Sequence, residues 1–218
     1  SLDSIPKASI ENLVLDNMKV DFFDLSGFSS LINLKIHMPT GLTAAQFNAL
    51  PKASVENFDL SSMGFTDISD FDFSGFTNLK SFNLKNVNGL SAEQFNSISK
   101  SSIESLNLGQ IEDYTGFDLS GFTSLRSLEL HAPKKLTAEQ FNSIPKEKLT
   151  NLQLFNAALT KDFDFSSLTS LKVLDLKIAT GVTARQFNSI PNKALLEVLD
   201  LSLVDVKGFD FSKLTGIK

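Results

Sequence analysis

Few groups in this chain could do chemistry. Its 218 residues hold two histidines and no cysteine. Thiolate metal sites and disulfides are excluded, so an imidazole base or zinc ligand has to be His37 or His131. Among the carboxylates, Asp175 and Asp200 are the pair suited by position to acid–base work or to a weakly held cation, with Lys177 beside them. No glycine-rich phosphate loop, nucleophile elbow or run with metal-ligand spacing occurs. No catalytic residue, metal site or cofactor is assigned.

What positions these groups is a repeat. Gln-Phe-Asn recurs at Gln46, Gln94, Gln140 and Gln186. Between these triplets, an aspartate followed by Leu or Phe and then Ser recurs at Asp24, Asp72, Asp118, Asp164 and Asp210, at intervals of 48, 46, 46 and 46 residues. A fixed period of this size marks a stacked array. Residues 1–218 read as one array without a linker, cut from a longer one. Stacked repeats present surfaces more than active sites.

Each period contains two copies of L-x-x-L-x-L. They run from Ile10-Leu13-Leu15 through Leu31-Leu34-Ile36, Val55-Phe58-Leu60, Leu79-Phe82-Leu84, Ile103-Leu106-Leu108, Leu125-Leu128-Leu130, Leu149-Leu152-Leu154 and Leu171-Leu174-Leu176 to Leu196-Leu199-Leu201. The x-L-x-L core is a short period-2 strand with one buried face. Strands returning after about 20 residues must be parallel. These nine copies resemble the leucine-rich repeat family. The resemblance implies an α/β, right-handed solenoid with a curved parallel sheet of about nine strands on its concave side. It also implies a non-enzymatic recognition module. One departure stands out. The family places Asn or Cys three residues after the last motif leucine, whereas this chain has Met18, Pro39, Met63, Val87, Ile111, Pro133, Ala157, Ala179 and Val204. Another device must satisfy that turn.

The two halves of each period differ on the outer side. Thr43, Ser91, Thr137 and Thr183 each precede a Gln by three residues, which is a capping box. A helix of about two turns is expected after each, with Pro51, Pro145 and Pro191 as stops. Leu42–Phe47, Leu90–Phe95, Leu136–Phe141 and Val182–Phe187 are the expected hydrophobic staples. The other halves, Phe-Asp-Phe/Leu-Ser, should be extended or 3₁₀, with the aspartate closing an Asx-turn.

On the concave face, His37 and His131 take equivalent places four strands apart. At ~4.8 Å per strand that is about 19 Å, too far to share one zinc. Both read as solvated imidazoles. Asp175 and Asp200 fall on adjacent strands and read first as a solvated pair. Glu56, Lys80, Glu104, Arg126, Thr150, Lys172 and Glu197 largely alternate in sign and read as a cross-strand ladder. Phe155 is different: it stands where other repeats carry Ser, His, Lys or Gly. With Val173, Ile178, Val198 and Leu203 it forms an apolar cluster, flanked by His131 and Lys177. Such clusters mark interaction sites, so these seven residues are the candidate partner contacts.

Composition narrows the partner. The net charge of −5 argues against nucleic acid. No apolar run reaches 18 residues, so nothing spans a membrane. Twenty Phe against one Tyr and no Trp suit an interior without partners for polar aromatics. The reading is a module binding a protein or peptide on its concave face. A passive spacer or stalk is the alternative, and an enzyme would need a catalytic domain elsewhere. Cysteine-free arrays resemble bacterial surface or secreted repeat proteins, which gives a preference for an extracellular setting.

Overall fold

A computed structural model describes residues 5–64 and 66–218. Nine strands follow one another across a single sheet: β1 (Asn12–Asp16), β2 (Asn33–His37), β3 (Asn57–Asp59), β4 (Ser81–Asn83), β5 (Ser105–Asn107), β6 (Ser127–Glu129), β7 (Asn151–Gln153), β8 (Val173–Asp175) and β9 (Val198–Asp200). All neighbours are parallel, and the middle motif residues, from Leu13 and Leu34 to Leu174 and Leu199, are direct partners. From β1 to β8 the middle residue is buried and those flanking it are not. A one-residue slip would reverse every side chain, so the motif fixes the register.

Each strand ends in a tight turn in place of an asparagine ladder. The residue two places after the last motif leucine has positive φ in all nine repeats, among them Asn17, Asn86, Gln110 and Asn156. Its N–H extends the sheet ladder, as Asn86 does to the Gly109 carbonyl at 2.8 Å. The next N–H often closes back on the last leucine, as Val87 does on Leu84 at 3.2 Å. The intervening N–H is taken by a concave side chain: Asp59, Asn83, Asn107, Asp175 and Asp200 accept from Ser61, Lys85, Gly109, Lys177 and Ser202.

Helices α1 (Ala44–Asn48), α2 (Ala92–Asn96), α3 (Ala138–Ser143) and α4 (Ala184–Ser189) follow the even strands, and each has a complete capping box. They are five or six residues long, shorter than the two turns expected. Proline does not set the stop, because α2 ends where α1 does with Ser99 in place of Pro51. The chain instead tightens, with the N–H of Leu50 closing on Phe47 at 3.2 Å and equivalent bonds in the other three. The 3₁₀ turns, Lys7–Ser9, Lys52–Ser54 and Lys193–Leu195, lie on the approach to odd strands. The aspartate-bearing halves are extended, with the expected Asx-turns at 2.8–2.9 Å from Ser26, Ser74, Ser120, Ser166 and Ser212. Thr137→Ala should cost about 1 kcal/mol in denaturant titration. Thr150 cannot serve as a neutral comparison, because its hydroxyl donates to the Arg126 carbonyl at 3.1 Å. Exposed Thr77 serves instead, and equal losses at 137 and 77 would refute the capping role.

The Gln-Phe-Asn triplet is a two-way clamp. The Gln amide reaches back to the preceding half: Gln46 donates to Val20 and Phe23, Gln94 to Ile68 and Phe71, Gln140 to Tyr114 and Phe117, Gln186 to Thr160 and Phe163. The Asn amide reaches forward: Asn142 donates to the Asp162 carbonyl at 2.9 Å and accepts from the Asp164 N–H at 2.8 Å. Between them the Phe is fully buried. Phe47, Phe95 and Phe187 stack on Phe71, Phe117 and Phe209 at 4.3–4.5 Å.

A lysine column crosses the same layer. Lys52, Lys146 and Lys193 are buried. Their ammonium groups stand 4.9–5.3 Å from the rings of Phe47, Phe141 and Phe187, where a cation is attracted to the aromatic face. Carbonyls at the helix C-termini accept from them, Phe141 and Asn142 from Lys146 at 3.2 Å, which also suits the helix dipole. Burial pushes the Lys52 and Lys146 ammonium below the ordinary range. At Gly75 an added Cβ would sit 3.2 Å from the Lys52 stem, so glycine there makes room for the lysine.

The serine two residues on holds the carboxyls of Asp72, Asp118 and Asp164 below their ordinary range. A lowered folded pKa stabilises the fold above about pH 4, and that contribution is lost as pH falls through the lowered value. The melting temperature is therefore expected to hold from about pH 7 to 5 and to drop below about pH 4. An Asp118→Asn variant should show a shallower drop. A flat profile down to about pH 3 would contradict this assignment.

Candidate partner-binding face

The sheet places the candidate residues in columns. Phe155 follows β7 by two residues and is half-buried. Its ring meets His131 edge-on, with centroids 5.7 Å apart. His131 Nε2 is 3.2 Å from Gln153 Oε1, and Glu129 accepts from the Asn107 amide at 2.7 Å. The polar neighbours of Phe155 are thus tied to one another. Val173 and Val198 are direct partners on β8 and β9. Val198 is 53% exposed and Leu203 84%, with Val173 and Ile178 half-buried. Ile178 and Leu203 occupy the turn column, one place beyond Lys177 and Ser202, with φ of 60° and 64°. A β-branched residue in that region is strained, and Ile178 is the β-branched member of this column.

Asp175 and Asp200 are register partners. Each spends one oxygen on its own turn: Asp175 accepts from the Lys177 N–H at 2.8 Å and Asp200 from the Ser202 N–H at 2.9 Å. The bonds from Ser202 hold the Asp200 carboxyl below its usual range. The same job falls to neutral Asn83 and Asn107 in other repeats, so the turn needs an acceptor there and not a charge. Among the described residues, no three His, Cys, Asp or Glu side chains are placed to hold a metal ion.

The histidines are not free surface imidazoles. His37 Nδ1 lies 2.8 Å from Asp16 Oδ1 across β1 and β2, and this bond is the main cause of a lowered Asp16 pKa. The charge ladder forms as separate groups: Lys80–Glu56 at 2.8 Å, Arg126–Glu104 at 3.8 Å and Lys172–Glu197 at 3.4 Å, with Lys218 also on Glu197. At such exposure solvent screens each pair and it contributes little to stability. An amide relay on the first strands has no counterpart in the expectations. Asn33 donates to Asn12 at 2.6 Å and Asn57 to Asn33 at 2.7 Å. The shared Asn one place before the middle residue was its signal.

No family model matches this chain, and no curated protein matches it by sequence. Solved structures match it by shape. An internalin of Listeria monocytogenes, InlF, is 15% identical, with TM-score 0.51 over 89% of this chain and 68% of that one. The functional domain of InlJ from the same species, which includes a cysteine ladder, is 18% identical, with TM-score 0.57 over 96% of this chain and 43% of that one. TLR13, in a complex with the single-stranded RNA ssRNA13, is 21% identical, with TM-score 0.52 over 88% of this chain and 26% of that one. The chain thus spans less than half of InlJ and about a quarter of TLR13. The fold is that of a leucine-rich repeat solenoid.

Proposed function

We propose that this chain is a non-enzymatic recognition module that binds a protein or peptide on its concave face, with Phe155 at the centre of the contact. One observation carries the reading. Phe155 stands as an aromatic on a mostly polar face, with the strained Ile178 and the exposed Leu203 in the adjoining turn column, while the Gln153–Asp175–Asp200 row separates it from Val173 and Val198. Strain is retained where function holds it in place. TLR13 is in a complex with RNA, but here the net charge is −5, and a polyanion is poorly served by such a surface. The described residues contain no helix long and apolar enough to cross a membrane. A bacterial surface or secreted setting belongs to the proposal, supported by the two Listeria structures of similar shape.

Two substitutions test it. Phe155→Ser should leave the denaturation midpoint nearly unchanged and weaken partner binding at least tenfold, since truncating an aromatic anchor often costs ~2 kcal/mol or more. His37→Ser, at the equivalent place, should alter binding little. Ile178→Asn should raise stability by up to ~1 kcal/mol, because Asn tolerates the left-handed region better than a β-branched residue, and should also weaken binding. A passive spacer predicts the stability gain with no binding loss. Unfolding by Phe155→Ser would place that residue in the core and end the proposal.

A further inference from the structure

The period breaks once, and a groove lies at the break. Twelve residues separate Leu60 from Asp72, against nine or ten between the equivalent leucine and aspartate in the other four halves. Insertions in a repeat array map to loops on one face, often a binding face. Beside this longer loop is an open cavity of about 600 Å³, within the usual range for ligand pockets. It lies along the turn edge of the first three repeats, away from Phe155. Met38, Pro39, Leu42 and Met63 contribute apolar lining to it, and Asp67 and Asp70 contribute its two carboxylates. Met38 is 48% exposed, while Leu42 and Met63 are buried.

The charge is one-sided. Among the described residues, no Lys, Arg or His lines the groove. Asp67 Oδ1 accepts from the Ser69 N–H at 2.9 Å, and that bond holds the carboxyl below its ordinary range. Among the described residues neither Asp67 nor Asp70 forms an ion pair. Elsewhere on this surface exposed carboxylates do find cations, such as Asp24 with Lys7 at 2.9 Å and Asp113 with Lys135 at 2.6 Å. An apolar lining that also holds unpaired carboxylates matches a side chain with an alkyl stem and a cationic tip. We infer that this groove receives a lysine or arginine side chain of a protein partner. It is a second contact surface, and it does not depend on the concave-face reading.

The chain's three methionines make the test direct, because Met38 and Met63 line the groove and Met18 does not. With methyl-labelled methionine, n-hexylammonium chloride is titrated into the protein. Saturable shifts are expected at Met38 and Met63 with Met18 unmoved, in the millimolar range typical of such small ligands. Hexanol and hexanoate should bind at least tenfold more weakly. The Asp67→Asn, Asp70→Asn double variant should lose at least fivefold in hexylammonium affinity while keeping its melting temperature. Added salt gives a second reading if that variant unfolds, since it should weaken hexylammonium binding and leave hexanol binding alone. Three results would each overturn the inference: shifts that do not saturate, hexanoate binding as well as hexylammonium, or affinity indifferent to both the carboxylates and salt.

Discussion

Phe141→Ala is expected to destabilise the array by ~3–5 kcal/mol, the range for emptying a buried aromatic site. The ring is fully buried. It packs against Phe163 at 5.2 Å and Phe165 at 6.0 Å, and it carries the Lys146 ammonium at 4.9 Å. Truncation therefore removes both apolar packing and the aromatic face beneath a buried cation. Because repeats are held by their neighbours, the loss should spread to the adjacent units. Phe22→Ala is the comparison, since that ring is 89% exposed and should cost almost nothing. Chemical denaturation of both variants decides it. A Phe141→Ala midpoint within error of the parent would mean the triplet's ring is not a core element.

Gln94→Leu should cost ~3 kcal/mol or more, although it replaces a buried polar side chain with an apolar one of similar size. Gln94 is 9% exposed. Its amide carbonyl accepts the Ser91 N–H at 2.9 Å, and its nitrogen donates to the carbonyls of Ile68 at 2.6 Å and Phe71 at 2.9 Å. Leucine leaves all three backbone groups without that partner, and each orphan costs ~1–3 kcal/mol when buried. Glu93→Leu, one residue away and exposed, should change little. Equal stability of the two variants would mean the Gln is only a local cap and does not hold neighbouring halves together.

Much of this was legible because the residue types act locally. The strands follow from Leu spacing, the helix starts from Thr-x-x-Gln, and the Asx-turns from Asp-x-Ser. What was not legible depends on how one half lies against the next. Gln94 reads from sequence as a cap for its own helix, and its bonds to Ile68 and Phe71 appear only once the halves stack. The burial of Lys146 over the Phe141 ring likewise appears only once the chain is folded. The helix ends were misplaced because Pro51 and Pro145 look decisive, whereas α2 ends in the same place without one. His37 and His131 were read as free because their partners, Asp16 and Gln153, come from neighbouring strands. The proposed Phe155 contact rests on one aromatic that stands out in a polar column, and the strain at Ile178 was not legible, since a sequence carries no φ.

The proposed contact is tested most directly by covalent capture at its centre. A photoreactive benzoylphenylalanine is placed at position 155, and separately at 37 and at exposed position 139 of α3 on the convex side, and the protein is expressed in its native host cells. Irradiation is expected to yield one discrete protein adduct from position 155, with little or none from 37 and 139, and the adduct should be lost when Ile178→Asn is added. An adduct formed equally well from position 139, or none from 155 while 139 captures a partner, would contradict the proposal and move recognition to the convex helices.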